Sequence, residues 1–168
     1  KGDYGRAEEF YLKALRIREE VLEAKHPDLA ISYHNLGNVH SGRTDYGRAE
    51  EFYLKALSIR EEIFDEKHPH LAVSYFCLGT IYRFKGDYWR AEEFCLKALS
   101  IREEVLDAKH PDLAVSYNNL GSVYRHKGDY GRAEEFYLKA LRIREEVLDA
   151  KHPDLKLTYL MLKDVYNK

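Results

Sequence analysis

Apolar residues return at three- and four-residue steps along most of the chain, the spacing of a helix that buries one face. Leu113, Tyr117, Leu120 and Tyr124 form one such stripe, and Ala133, Phe136, Tyr137, Ala140, Leu141, Ile143 and Val147 form another. They predict a helix opening at Pro111, where the missing N–H costs nothing, and a second from about Tyr130 to Leu148. Between them, Lys127-Gly128-Asp129 supplies a glycine to end the first helix and an aspartate to cap the second. Asp149 to His152 reads as a longer loop. On the polar side, Asp112 sits near the positive end of its helix dipole, and Glu135 and Lys139 make a favourable i, i+4 pair.

The same pattern recurs with a period of 42 residues. Lys1-Gly2-Asp3-Tyr4 returns at Arg43-Thr44-Asp45-Tyr46, Lys85-Gly86-Asp87-Tyr88 and Lys127-Gly128-Asp129-Tyr130. His-Pro returns at His26-Pro27, His68-Pro69, His110-Pro111 and His152-Pro153. Four uninterrupted units, 1–42, 43–84, 85–126 and 127–168, fill the chain. One helical hairpin cannot bury its stripe alone, so the units are expected to stack into a single solenoid of eight helices. Gly121, Ala133 and Ala140 mark where paired helices approach most closely.

The chain opens on a second helix (residues 1–24) without its first, which should leave Ala7, Phe10 and Tyr11 partly uncovered. Two readings stay open: a piece cut from a longer array, or an end that recruits another copy. Near residue 168 the pattern changes. Lys163 stands where other units have Gly37, Gly79 and Gly121, and Lys156 where they have Ala30, Ala72 and Ala114. The helix 153–167 is therefore expected to cap the array with a polar outer face.

Composition narrows the function classes. Hydrophobic residues at 45% and charged residues at 33% suit a folded, soluble helical protein. A net charge of −2 gives no basic face for nucleic acid. No apolar run approaches the roughly 20 residues that span a bilayer. Cys77 and Cys95 replace other residue types in their columns, which points away from a disulfide framework and toward a reducing, cytoplasmic setting. No phosphate loop, nucleophile elbow or Cys-His pair is present, so neither catalysis nor a cofactor is expected. The His-Pro histidines read as capping residues, and His68 and His70 lack the further ligands of a zinc site. The Arg-Glu-Glu runs read as exposed ion-pair faces. Trp89, in a column otherwise holding Gly5, Gly47 and Gly131, is expected to cover a neighbouring loop, with an exposed contact hot spot as the other reading.

The string Tyr117-Asn118-Asn119-Leu120-Gly121-Ser122-Val123-Tyr124, followed by Gly128-Asp129-Tyr130, Ala133, Tyr137 and Ala140, resembles the tetratricopeptide repeat. The eight residues beyond that family's usual period of 34 fall between Arg144 and Lys151. The Ile-Arg-Glu-Glu-Val-Leu and Lys-His-Pro-Asp-Leu-Ala segments are similar to the kinesin light chain type and to nephrocystin-like repeats. The resemblance covers the whole chain. It implies an all-α, right-handed superhelix of antiparallel hairpins whose first helices line a concave groove for peptides.

Comparing the units with one another marks the same surface. Three columns differ in every copy: His34/Phe76/Asn118/Leu160, Asn38/Thr80/Ser122/Asp164 and Gly42/Phe84/His126/Lys168. They are spaced four residues apart, so they share one stripe of the first helix. Asn35/Cys77/Asn119/Met161 and Ser41/Arg83/Arg125/Asn167 vary beside them, while Arg-Ala-Glu-Glu of the second helix appears in all four units. The resemblance assigns Asn35 and Asn119 to holding a peptide backbone, a pattern that Cys77 breaks. Phe76 and Phe84, flanking Thr80, are expected to form an apolar pocket, and Arg83, Arg125 and His126 to add positive charge. His34 and Phe76 occupy the places where a two-carboxylate clamp needs lysines.

The expected function is a scaffold that binds an extended protein segment with acidic flanks and an aromatic or aliphatic anchor. The alternative is a self-associating spacer, joined through the uncapped N-terminal helix, or an engineered repeat scaffold without a ligand.

Overall fold

The computed structural model describes residues 3–168, folded into eight α-helices: α1 Tyr4–Val21, α2 Pro27–Gly42, α3 Tyr46–Ile63, α4 Pro69–Lys85, α5 Tyr88–Val105, α6 Pro111–Lys127, α7 Tyr130–Val147 and α8 Pro153–Tyr166. Each boundary has a local cause. Asp3, Asp45, Asp87 and Asp129 each accept the backbone N–H three residues on, at 3.1–3.3 Å. His26, His68, His110 and His152 do the same through Nδ1 for the N–H two residues on, at 3.1–3.2 Å. A proline then occupies the first turn of every even-numbered helix.

Helices α4 and α6 end on Gly86 and Gly128, in left-handed geometry at φ of 80° and 81°. Thr44, their counterpart in the second unit, is held at φ 62°. A β-branched residue is strained there.

The tightest helix pairs are α2 with α3, α4 with α5 and α6 with α7, joined by the short glycine- or threonine-containing turns. A Cβ added to Gly37 or Gly121 would lie 2.6 Å from the ring of Tyr53 or Tyr137. At Gly79 it would meet Sγ of Cys95 at 2.5 Å and the Cys95 backbone nitrogen at 3.1 Å, so the small cysteine seats α5 against the backbone of α4. Ala49, Ala56, Ala91, Ala98, Ala133 and Ala140 are fully buried at these contacts. Val147, expected in this stripe, is instead exposed at the last turn of α7.

The longer connections are held by polar side chains. Arg18, Arg60 and Arg102 each direct Nη1 onto a serine hydroxyl of the following helix, Ser32, Ser74 and Ser116, at 2.6–2.7 Å. Arg144 makes the same bond to Thr158. The same nitrogen also reaches a backbone carbonyl in the first turn, of Asp28, His70, Asp112 or Asp154, at 3.2–3.3 Å. Arg60, Arg102 and Arg144 are buried. The next residue, a glutamate, accepts the hydroxyl of Tyr33, Tyr75, Tyr117 or Tyr159 at 2.6–2.8 Å. The arginine and first glutamate of each Arg-Glu-Glu run are therefore interhelical clasps, while the second glutamates Glu62, Glu104 and Glu146 keep the exposed ion-pair role that the sequence suggests.

The first glutamate of Arg-Ala-Glu-Glu has an equally structural duty. Glu50, Glu92 and Glu134 accept Tyr82, Tyr124 and Tyr166 at 2.7–2.8 Å, and Glu50 and Glu92 also pair with Lys85 and Lys127. In the first unit, His40 replaces the tyrosine and lies 3.4 Å from Glu8. Along the outer edge Lys25, Lys67 and Lys109 pair with Glu62, Glu104 and Glu146 of the next unit, exposed bonds that contribute little each.

Helix α4 also touches α6, and α6 touches α8, while no two of α1, α3, α5 and α7 do so to that extent. The even-numbered helices thus form the shorter, inner side of the curve. On α1, Phe10 and Tyr11 are exposed, as are Lys156 and Lys163 on α8.

Two substitutions test this packing. Thr44→Gly relieves the left-handed strain and should stabilise the fold by about 1 kcal/mol, read as a higher urea midpoint; a lower midpoint contradicts the account. Ser116→Ala strips the buried Arg102 guanidinium of its hydroxyl and should cost about 1–3 kcal/mol. An unchanged midpoint would show that the clasp carries no stability.

Candidate peptide-binding groove

The variable columns lie on the inner side, on α2, α4 and α6, and the structure separates them by depth. Ser122 is buried. His34, Asn35, Phe76, Cys77, Thr80, Asn118, Asn119 and Arg125 are half-buried, as is Arg83, while Asn38, Phe84 and His126 are exposed. Residues four apart share the face because each helix carries them one turn apart.

The outermost column rests on tyrosines from the preceding turns. Tyr46 stacks on Phe84 with ring centroids 5.1 Å apart and planes 3° apart, and Tyr88 stacks on His126 at 5.1 Å. At Gly42 the ring of Tyr4 occupies the space that a side chain would take. Phe76 goes elsewhere: the guanidinium carbon of Arg102 lies 4.6 Å from its ring centroid. The expected apolar pocket between Phe76 and Phe84 is therefore replaced by two separate aromatic contacts, one under a buried cation and one at the groove's edge.

The asparagine column is also differently employed. Asn119 Oδ1 accepts Arg83 Nε at 3.0 Å, while Nδ2 donates to Thr80 Oγ1 at 3.1 Å and to Cys95 Sγ at 3.3 Å. Both amide hydrogens are spent inside the array, which leaves Asn119 no donor for a peptide. Asn35 makes no such bond among the described residues. Asn38 accepts the Tyr53 hydroxyl at 2.7 Å, Thr80 donates to the Phe76 carbonyl at 2.9 Å, and His126 Nδ1 lies 2.7 Å from the Ser122 carbonyl.

Electrostatically the groove is positive. Burial, with Arg60 and His70 nearby, pulls the His34 imidazole down to about 4, so it is neutral at pH 7. Arg60 and Arg102 on its floor, and Arg83 and Arg125 nearer its edge, form no ion pair with a carboxylate among the described residues. By contrast, Lys85 and Lys127 on the other side are both paired. Burial pushes the Cys77 and Cys95 thiols up to about 11 and about 12, so neither is a thiolate nucleophile at neutral pH. The described residues hold no cluster of histidine, cysteine and carboxylates that would bind a metal ion. None of their helices is long and apolar enough to cross a membrane.

Trp89 does not cover a loop. It is 77% exposed, and the Lys127 ammonium sits 3.6 Å over its ring, a cation–π contact at the outer end of the turn. The clasp arginines and glutamates were missed because their partners lie 14 and 32 residues away. Their signal was present, since Arg-Glu-Glu and Ser/Thr at that separation recur in every unit.

The model of the tetratricopeptide repeat matches residues 1–62, 42–104, 71–146 and 112–168, which together span the chain. Among solved structures, BtubC (BKLC) from P. vanneervenii is 30% identical, with a TM-score of 0.88 over 99% of this chain; this chain spans 66% of that one. A putative kinesin light chain from Podosopora anserina with nearly identical TPR-like repeats is 22% identical, with a TM-score of 0.84 over 99% of this chain and 79% of that one. The apo form of RapI is 23% identical, with a TM-score of 0.84 over 98% of this chain and 57% of that one. No curated protein sequence matches. Matched along its whole length by that repeat's model, the chain belongs to the tetratricopeptide repeat family.

Proposed function

We propose that the chain is a protein–protein interaction module that takes an extended segment of a partner along the inner groove of α2, α4 and α6. One observation carries this reading: the columns that differ between units gather on that single face, whereas the outer helices repeat. Part of that repetition is structural, because Glu50 and Glu92 anchor the next helix. Three inner columns also make internal contacts, at Asn38, Thr80 and Phe84 for example, and still differ in all four units. Arg83 and Arg125 without carboxylate partners favour acidic residues in the segment, and exposed Phe84 favours an aromatic or aliphatic one beside them. The free thiols Cys77 and Cys95 fit a reducing compartment such as the cytoplasm. Burial keeps the Cys77 and Cys95 thiols protonated at neutral pH, so neither supplies a thiolate nucleophile there.

A second reading rests on α1. Phe10, Ile17 and Val21 are exposed on it, at 63%, 61% and 71%, and a second copy covering them would make the array self-associate.

Selection from a random peptide library should yield ligands with Kd of about 1 μM, or about −8 kcal/mol. Arg83→Glu combined with Arg125→Glu should weaken them more than about tenfold. Ligands indifferent to that double variant would contradict the groove reading. For the second reading, light scattering should show mass rising with concentration and falling back in Phe10→Ser; a monomer at all concentrations excludes it.

A further inference from the structure

We propose that the notch under the α3–α4 connection, between the second and third units, binds an arginine side chain of a partner protein. None of its lining residues belongs to the variable inner columns, so the site stands apart from the groove. A cavity of about 480 Å³ opens where that connection meets the second half of α5. Phe64, Leu71, Tyr75 and Ile101 supply an apolar wall, and Glu61 and Glu66 line it with carboxylates. Leu71 and Ile101 are buried, whereas both glutamates are exposed. The depth is apolar and the mouth is anionic.

The next step of the array shows what this notch lacks. Between units three and four the same columns line a smaller cavity of about 280 Å³. There Tyr117, Lys139 and Ile143 stand in the places of Tyr75, Lys97 and Ile101, with Ala108 for Glu66 and Arg142 for Ser100. At that step the chain supplies a guanidinium of its own. One unit earlier it leaves a serine, more room and an added carboxylate. The other units hold Ala24, Ala108 and Ala150 in the Glu66 column, and Leu22, Leu106 and Leu148 in the Phe64 column. Both changes are therefore particular to the α3–α4 connection.

The charges in the notch do not cancel. The Glu66 carboxylate makes no hydrogen bond or ion pair among the described residues. Glu61 Oε1 accepts the Tyr75 hydroxyl at 2.8 Å, and its second oxygen has no partner among them. Lys97, the cation among the lining residues, is matched by Glu93 at 2.8 Å. Lys67 in the connection is matched by Glu104. Negative charge is left in excess beside an apolar wall. That wall is preset, because His68 stacks on Phe64 with ring centroids 3.8 Å apart and planes 8° apart. A fitting side chain has an apolar stem and a broad cationic head. Arginine has both: its methylenes cover apolar surface, and its planar fork pairs with a carboxylate through two parallel hydrogen bonds. A lysine ammonium matches the charge without the fork.

The test titrates acetyl-Gly-Arg-Gly amide into the 168-residue chain while the backbone amide resonances are recorded, with the lysine and citrulline versions as controls. The arginine peptide should shift the amides of residues 64–66 and 100–101 to saturation, with Kd on the order of 1 mM for one anchored side chain. The lysine peptide should bind more weakly, and the neutral citrulline peptide should leave those amides unmoved. Glu66→Ala and Ser100→Arg each install a residue that another unit carries in that column, so both are expected to keep the fold, as circular dichroism will verify. Glu66→Ala should weaken the arginine peptide about three- to fivefold. Ser100→Arg should abolish the shifts, because the notch then holds its own guanidinium. Ala108→Glu combined with Arg142→Ser should create the same response around residues 106–108 and 142–143. Equal binding of the citrulline peptide, equal binding of the lysine peptide, or shifts scattered over the acidic surface would each overturn the proposal. So would an arginine affinity unchanged in both single variants, and should one of them unfold, the other decides.

Discussion

A guanidinium, buried in three units and half-buried in the first, carries the second helix of each unit onto the helix that follows. Arg18, Arg60, Arg102 and Arg144 repeat one bond, to Ser32, Ser74, Ser116 and Thr158. Each also reaches a carbonyl in the first turn of that helix. A hairpin joined only by apolar contact could slide or pivot at its long loop. A charged donor removed from water has to keep its acceptors, because losing one costs the desolvation already incurred. The clasp therefore sets where the next helix begins, and the close glycine contacts at Gly37, Gly79 and Gly121 follow from that placement. Repetition of one step is what curves the array and puts α2, α4 and α6 on its inner side.

Much of this architecture is legible in the amino-acid order because its signals are local. An aspartate or histidine cap, a proline in the first turn and a glycine at the end act within one or two turns, so the helix boundaries fell close to expectation. Thr44 stands in a column that holds glycine at positions 86 and 128, but its left-handed backbone is a finding of the structure. The clasp is a different matter. Arg102 finds Ser116 across a loop, and its run of charges has the same look whether solvated or buried. Only the three-dimensional partner separates the two.

The groove divides along the same line. Which columns vary is a property of the sequence, and their common face follows from helical periodicity. What each side chain does there depends on neighbours from other units. Asn119 has the place of a peptide-holding carboxamide, yet Arg83, 36 residues earlier, claims it. Phe76 and Phe84 are two turns apart on one helix, yet Arg102 and Tyr46 draw them into separate contacts. Variation at these positions therefore changes internal hydrogen bonds and stacks along with the surface offered to a ligand. The inner face is a set of coupled steps, each tuned by the unit before it.

The central claim is that repeated columns build the array while the differing inner columns choose what it binds. Transplanting one step tests this directly. In unit two, Phe76, Cys77, Thr80 and Phe84 would be replaced by the unit-three residues of the same columns, Asn, Asn, Ser and His, while Arg83 already matches Arg125. The thermal midpoint and the peptides selected from a library would then be measured together. The account predicts a helical array melting within about 8 °C of the parent, the shift expected for roughly 1–2 kcal/mol in a chain of this size, with a changed set of selected peptides. An unchanged set, or collapse of the fold, would contradict it.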